Sequence, residues 1–546
     1  MKKILLALLF FSQLIPAQTT IDLDSVFNAY INYRNGALPE INHPKGQNGK
    51  QKCGLPSVAP LVLHFRQLST EQQTIFSTLA ERPVRDTSIV SPKGKFRLHF
   101  NLSGYEKPAY PPDSLAAALD SVWEYEVNFL GYPQPPSDGD AGGDALYDVY
   151  IVASQFWYGE TVPESRIEQG ADRFTSYMKI DNDFAGFYTT GLPAAKVTAA
   201  HEFHHAIQMG NYILRYTDSF FHELTSTSME EFVFPEINDY IGYIDEYFDE
   251  PWRSFSKYSG YNLATWNFML SERFGIDIIK KQWNLMPTER ALKAIANTIR
   301  QEGSEPEIEL NTFGVWNYFT NYRAQPGKYF RDAGLFPEIK SSVRAGLVGN
   351  NASASVAAHP VSNNQITIWN NQQGFNDTLV TIITDFSLAE WEDSPDKNLN
   401  YGYTLYNYNE SGSTQIAGSY YDKITGQANQ QWKAAIILNN QPVERGGGND
   451  QFSEQPYPAP FVYGKTSEDV IYFPFKFLKD NEADLQIYSA GGDLVYGGSH
   501  PPFGMLRDRI KWRVKDNFGE KLATGVYVYI IKSGGTLVTG KIIVVN

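Results

Sequence analysis

The sequence predicts a multidomain protein, a mixed α+β domain followed by two β domains, and three observations carry that prediction. At 546 residues the chain is longer than one hydrophobic core supports. Apolar residues recur with a helical period from Lys196 to about Lys281, and short strand-like runs precede them. After about Asn350 the period shifts to two, in runs such as QITIW, LVTIITDF, YGYTLYNY and WKAAIILNN separated by Asn, Gly and Ser.

In chain order, Lys2 and Lys3 precede the apolar run ILLALLFF, and small Ala17 offers a cleavage point, so 1–17 reads as an export signal. Residues 18–90 are Pro-dotted, with a helix expected in LSTEQQTIFSTLAERP. A strand over 96–102 precedes an amphipathic helix, DSLAAALDSVWEYEVNFLG, with Asp113 as its N-cap and Gly131 as its stop. LYDVYIVA and SYMKID read as buried or edge strands. The stretches KVTAAHEFHHAIQMGN, SFFHELTSTSMEEFVF and YNLATWNFMLSERFG read as helices. A β-sandwich domain is expected over 350–456, and a second β domain over 457–546, punctuated by AGGD, NFGE and KSGG turns.

Composition excludes several roles. A net charge of −15 argues against nucleic acid or an anionic membrane as partner, since both need clustered Lys and Arg. No stretch beyond the export signal approaches the ~20 apolar residues of a membrane helix. A single cysteine, Cys53, rules out an intramolecular disulfide. The 34 Tyr and 34 Phe favour β-rich modules and packed interfaces.

The stretch HEFHH, residues 201–205, carries the chemistry. On a helix His201 and His205 lie four apart on one face with Glu202 beside them, the HExxH pattern in which two imidazoles bind zinc and the glutamate takes a proton from a metal-bound water. His204 does not complete that spacing and is expected to pack or to support a ligand. Chance alone produces HExxH in many helices, so a third ligand decides the matter. Seventeen residues separate His205 from Glu223, which lies early in a helix that Asp218 or Ser219 would cap and Pro235 would end. Glu230 shares its face and is the alternative ligand or a carboxylate orienting a ligand histidine. The plainer reading makes Glu223, Glu230 and Glu231 a solvated face. The acidic turn SDGDAGGDALYD offers Asp138, Asp140, Asp144 and Asp148 as oxygen ligands for calcium (Ca2+), against the plainer reading of a polar loop.

KVTAAHEFHHAIQ, then FFHELTSTSMEEFVFPEINDY and YSGYNLATWNFMLSERFG, resemble a group of secreted bacterial gluzincin metallopeptidases with an HExxH helix, a helix of the form E-x-T-x-x-x-M-E and an N-D-Y segment. The similarity continues upstream through VNFLGYPQPPSDGDAGGDALYDVYI and SYMKIDNDF. Ser228 stands where the family often has a Trp. The resemblance implies a zincin-like catalytic domain over 91–345, zinc (Zn2+) on His201, His205 and Glu223, and Glu202 as general base. It also implies hydrolysis of peptide bonds in a protein or peptide substrate. His222, Tyr240, Tyr258 and Tyr261 are the candidates for stabilising the oxyanion.

YPAPFVYG, ADLQIYSAGGDLVY, KWRVKDNFGEKLATGVYVYII and GKIIVVN resemble an Ig-like C-terminal sorting module of type IX secretion. That resemblance implies a secreted or surface location, with the secretion machinery as a partner of residues 457–546. QKCGLPSV resembles the Cys-Gly-x-Pro latency motif of matrix metallopeptidases, implying that 18–90 is an inhibitory pro-segment of a zymogen with Cys53 as a fourth zinc ligand. An inert buried thiol is the plainer reading of Cys53. The competing function is a non-catalytic surface protein on a zincin scaffold, against which the intact Glu202 stands.

Overall fold

The computed structural model describes residues 21–34, 51–154, 156–346, 359–369, 377–386, 388, 398–409, 414–425, 456, 461–464, 469–475, 482–489, 491–501, 509–533 and 536–546. The export signal expected at 1–17 and the WKAAIILNN run lie outside these residues.

Among the described residues the chain is a multidomain α+β protein. Its first sheet is built from β1 (Gln51–Cys53), β2 (Thr87–Val90), β3 (Phe96–Phe100), β4 (Tyr147–Val152), β5 (Trp157–Arg166) and β6 (Phe174–Asp181). These lie in the order β1-β5-β6-β4-β3-β2. β1 runs parallel to β5, with Cys53 opposite Gly159, and β5 runs antiparallel to β6. Three helices come from the N-terminal region: α1 (Leu23–Arg34), α2 (Leu55–Leu63) and α3 (Thr70–Leu79). α3 starts at a reciprocal cap in which Gln72 N donates to Ser69 Oγ at 3.2 Å and Ser69 N donates to Gln72 Oε1 at 2.9 Å. Phe27, Tyr30, Cys53, Leu55, Val58 and Phe76 from this region share one continuous core with the residues that follow.

Two helices lie against the sheet. α4 (Pro112–Trp123) starts at Pro112, so Asp113 falls within its first turn and is not its N-cap. Proline is pre-set for that first position and lacks the N–H that would be orphaned there. The helix then widens into a π-helical turn, Glu124–Phe129, which buries Glu126 before Gly131 turns the chain at φ +69°. α5 (Gly191–Ile207) packs on β5 and β6, and from Ala194 onward nearly all of it is buried, with Ala194, Ala195, Ala199, Ala200 and Ala206 admitting close neighbours on several sides. α6 (Ser219–Val233) crosses α5. Helices α7 (Asp245–Asp249), α8 (Ala264–Phe274), α9 (Asp277–Leu285), α10 (Ala291–Gln301) and α11 (Pro306–Tyr318) complete this region. No helix among the described residues is long and apolar enough to cross a membrane.

β5 escaped the sequence reading because Gly159 and Pro163 interrupt it. Pro163 is tolerated because β1 pairs only as far as Gly159, leaving the edge beside Pro163 without a strand that needs its N–H.

The next sheet contains β7 (Val343–Gly346), β8 (Ser362–Trp369), β9 (Asp377–Asp385), β10 (Asn398–Asn409) and β11 (Thr414–Thr425), in the order β11-β10-β9-β8-β7. Of the β-sandwich expected over 350–456, the described strands lie in this one sheet, and residues 426–455 lie outside the described residues. α11 covers β8 and β9: Asn311 Nδ2 donates to Ile382 O at 3.1 Å and Asn363 Nδ2 to Leu310 O at 2.8 Å.

The C-terminal region is a curled β structure. β12 (Phe461–Val462), β14 (Ala483–Ser489), β15 (Leu494–His500), β17 (Gly525–Ser533) and β18 (Thr536–Val545) form one sheet, while β13 (Val470–Pro474) pairs with β16 (Arg509–Arg513). Phe473, Leu485, Ile487, Trp512, Ile531 and Val544 enclose a core separate from that of the first region.

Gly159 is the tightest point between β5 and α5: a Cβ there would lie 2.5 Å from Thr198 Cγ2 and 2.7 Å from Glu202 Cγ. Gly159→Val is expected to destabilise the fold by about 1–3 kcal/mol through overpacking. Urea unfolding of the two proteins checks this.

Candidate metal centre

Cys53, His201, His205 and Glu223 form a buried group whose ligand atoms all lie within 4.8 Å of one another, a group that could hold a metal ion. α5 supplies the two histidines one turn apart, α6 supplies Glu223 across from them, and β1 brings Cys53 over the top. His201 Nε2 lies 3.0 Å from Glu223 Oε2 and 3.1 Å from His205 Nε2, and His205 Nε2 lies 3.4 Å from Glu223 Oε1.

The hydrogen bonds behind the histidines identify their tautomers. Gln208 Nε2 lies 3.1 Å from His222 O, a carbonyl that can only accept, so the amide nitrogen faces that way and Oε1 faces His205 Nδ1 at 2.8 Å. His205 Nδ1 is therefore the protonated nitrogen. Glu230 Oε1 lies 2.7 Å from His201 Nδ1, which places that proton on Nδ1 as well. Both Nε2 atoms then turn bare lone pairs toward each other and toward a carboxylate. Such an arrangement is repulsive unless a cation sits among them. Burial alone would pull His201 down, but Glu223 and Glu230 outweigh it and hold His201 up to about 10, so an added proton is the metal-free answer to the same crowding. Burial likewise works against the Glu223 carboxylate, yet His205 and His201 keep it well below the usual carboxylate range.

The remaining donor behaves oppositely. Burial, then Glu202 and Glu223, push the Cys53 thiol well above its ordinary value, so ionising it demands a positive charge nearby. Its Sγ lies 3.6 Å from Glu202 Oε2. Glu202 is held by Thr161, whose Oγ1 lies 2.7 Å from both Glu202 Oε2 and Glu202 O, while Glu202 Oε1 is buried without a hydrogen-bond partner. The donor set of one sulfur, two imidazoles and one carboxylate, with bare lone pairs converging, fits a resident metal ion.

The other candidates take different places. Glu230 supports His201 and does not join the ligand group. His204 points away, with Nδ1 2.8 Å from Glu126 Oε2, and burial pushes it well below its ordinary value. Glu231 pairs with Arg331. Of the four oxyanion candidates, only Tyr261 stands beside a ligand, its ring centroid 6.0 Å from that of His201. His222 bonds Gln208, Tyr240 reaches Asp332 and Tyr258 donates to Glu250 O. In the acidic turn Asp138 and Asp148 pair with Arg82, and Asp144 pairs with Arg97. Guanidinium groups neutralise those three carboxylates in the structure.

The Cys-Gly-x-Pro stretch runs from strand into helix. Cys53 ends β1, Gly54 is in the right-handed helical region at φ −84° and ψ −17°, and Pro56 opens α2. Gly54 is needed for space and not for a left-handed turn, because a Cβ there would lie 2.9 Å from Glu160 Cγ.

Four supporting residues went unpredicted. Gln208 stands one helical turn beyond His205, a spacing that could have suggested it. Nothing local marks Thr161 or Lys52, and Asp239 stood in the N-D-Y segment without a role. Lys52 Nζ lies 2.8 Å from Glu230 Oε2 and also pairs with Asp239, whose Oδ1 accepts from Tyr158 OH at 3.2 Å. Burial works against the Lys52 charge, but Asp239 and Glu230 outweigh it and hold the ammonium above its ordinary value.

No protein-family model matches the chain, and no curated protein matches it. Among solved structures it is 14% identical to PorZ, an essential bacterial surface component of the type-IX secretion system of Porphyromonas gingivalis, over 36% of this chain and 39% of that one, with a TM-score of 0.15. Dimeric latent PorU from Porphyromonas gingivalis is 13% identical over 34% of this chain and 20% of that one, with a TM-score of 0.13. The neural ectodermal development factor IMP-L2 is 9% identical over 38% of this chain and 91% of that one, with a TM-score of 0.11. The chain thus spans well under half the length of either secretion protein. Similarities at this level establish neither a shared fold nor a shared activity.

Gln208→Leu is expected to weaken metal binding about 10–100-fold, because His205 Nδ1 loses the acceptor that fixes its tautomer. Metal titration followed by calorimetry measures it. Dialysis against a chelator should lower the unfolding temperature of the wild type and leave that of His205→Ala unchanged.

Proposed function

We propose that the protein is a secreted zinc-dependent metallopeptidase, held latent by Cys53. The observation that carries this reading is the pair of bare Nε2 lone pairs on His201 and His205 facing Glu223, with an unpartnered Glu202 oxygen beside them. Zinc suits a Cys, His, His, Glu donor set, and the chemistry it supplies when bound is polarisation of a carbonyl and acidification of a water toward a pKa of ~7.

The chain's own residues do the rest. His201, His205 and Glu223 would hold the metal, with Glu230 and Gln208 fixing the imidazoles. Glu202 accepts a proton and returns it to the leaving amine. Burial raises its affinity for that proton above the ordinary carboxylate value, and the Thr161 hydroxyl holds its other oxygen in place. Tyr261 is the candidate donor to the developing oxyanion.

Latency follows from the place of Cys53. A catalytic site keeps one position open for water, and the thiol sulfur stands within 4.8 Å of the other three donor atoms. Its segment is anchored on the same sheet: Gly54 N donates to Gly159 O at 3.0 Å, and Arg34 Nη2 reaches Glu160 Oε1 and Oε2 at 2.8 and 2.7 Å. Export through the 1–17 signal and sorting through an Ig-like 457–546 module complete the reading and rest on sequence resemblance.

One observation favours a second reading. Four protein donors close a tetrahedral shell, which is the habit of structural zinc. The two readings diverge at Glu202 and Cys53, since a structural site needs no base and would lose its metal with the thiol.

Glu202→Gln is expected to keep stoichiometric zinc and, after activation by limited proteolysis, to lack the casein hydrolysis of the activated wild type. Cys53→Ser in the full chain should keep zinc and raise peptidase activity over the wild-type precursor, and loss of the metal on that substitution would instead identify a structural site. Removing residues 457–546 should leave the chain inside the producing cell, read by fractionation and immunoblotting.

A further inference from the structure

Lys52 is 3% exposed, and no step assigned so far uses it. It immediately precedes Cys53, so its backbone passes next to the residue that reaches the metal group. Its ammonium lies in a pocket drawn wholly from the domain that supplies the other ligands: Tyr158 on β5, Glu230 on α6, and Asp239 and Tyr243 in the turn that follows α6.

The two carboxylates divide their oxygens in the same way. Glu230 gives Oε1 to His201 Nδ1 and turns Oε2 toward Lys52. Asp239 accepts from Tyr158 OH on Oδ1 and turns Oδ2 toward Lys52. The Tyr243 ring centroid lies 4.4 Å from Nζ and that of Tyr158 lies 5.3 Å from it, so electron-rich faces complete the walls. Glu230 and Asp239 are each 1% exposed. Without a cation between them, two buried carboxylates would stand with oxygens uncompensated.

Resting on the metallopeptidase reading, we propose that this pocket is a substrate subsite for a lysine side chain next to the scissile bond, and that Lys52 fills it in the precursor as a built-in stand-in. Cys53 at the metal and Lys52 in the pocket together occupy the place of one lysine-containing dipeptide of substrate. When the segment leaves, the carboxylates that it neutralised demand another long-stemmed cation. A point-charge ammonium fits two converging oxygens between aromatic faces better than a planar guanidinium fork does, and an acidic side chain is repelled.

Two measurements test the pocket. In the first, the full chain carrying Lys52→Gly is heated with n-butylammonium, which reproduces the missing four-carbon stem and charge, or with n-butanol. A dose-dependent rise in unfolding temperature with the ammonium alone supports the pocket, and equal responses to both overturn it. The second needs no variant: zinc-loaded protein activated by limited proteolysis is given a peptide library. Cleavage beside lysine favoured over norleucine by more than about tenfold in kcat/KM supports the subsite. Cleavage with no such preference overturns the subsite while leaving the peptidase reading intact. No cleavage of any peptide overturns the peptidase reading, and the substrate assignment with it, while the butylammonium response still decides whether the pocket binds an alkylammonium.

Discussion

Two imidazole nitrogens with free lone pairs, 3.1 Å apart and deep in the protein, are the constraint around which this region is organised. Neither nitrogen can escape by changing tautomer, because Gln208 and Glu230 hold the opposite side of each ring. The site thus demands positive charge by construction. Glu223 supplies the anionic side of that bargain, and its hold on the proton is weakened by the same two histidines. Desolvation opposes every charge in the cluster, so the cluster persists only as a unit.

Close approach of backbone elements makes the unit attainable. α5 carries alanines where it meets its neighbours, and glycines stand where a side chain would force elements apart. Gly159 admits Glu202 beside β5. Gly260, at φ +106°, admits its own turn onto α6, where a Cβ would lie 2.1 Å from Phe220 O and 2.8 Å from Glu223 Cβ. Tyr261 follows directly and comes beside His201. The π-helical turn after α4 serves the opposite face, giving His204 a buried carboxylate partner and keeping that third histidine out of the ligand set.

The segment over 51–56 ties these features together. It adds a strand to β5, places a thiol at the ligand group and places an ammonium between two carboxylates, one of which also supports a metal ligand. Glu230 touches both: one oxygen orients His201 and the other meets Lys52. Charge brought by the segment therefore reaches the metal group through a single carboxylate, which links occupancy of the pocket to the electronic state of a ligand.

Much of this could be read in the residues. The four-residue spacing of His201 and His205, the helix carrying Glu223, the change of period after about Asn350 and the thiol in QKCGLPSV are local patterns, and local patterns report which face of an element a side chain occupies. They cannot report what lies opposite that face. Glu223 and Glu230 share a stripe of α6, and only the crossing of α6 over α5 decided that one meets Nε2 and the other Nδ1. The asparagines of β8 and α11 carried no sign that a helix would cover that sheet. Asp138, Asp144 and Asp148 gave no sign of their guanidinium partners, because Arg82 and Arg97 lie far away in sequence. Lys52 carried no local mark of the pocket that Glu230 and Asp239 close around it. Periodicity determined the elements and their faces; the long-range approach of one buried charge to another, which no window of sequence contains, decided the chemistry.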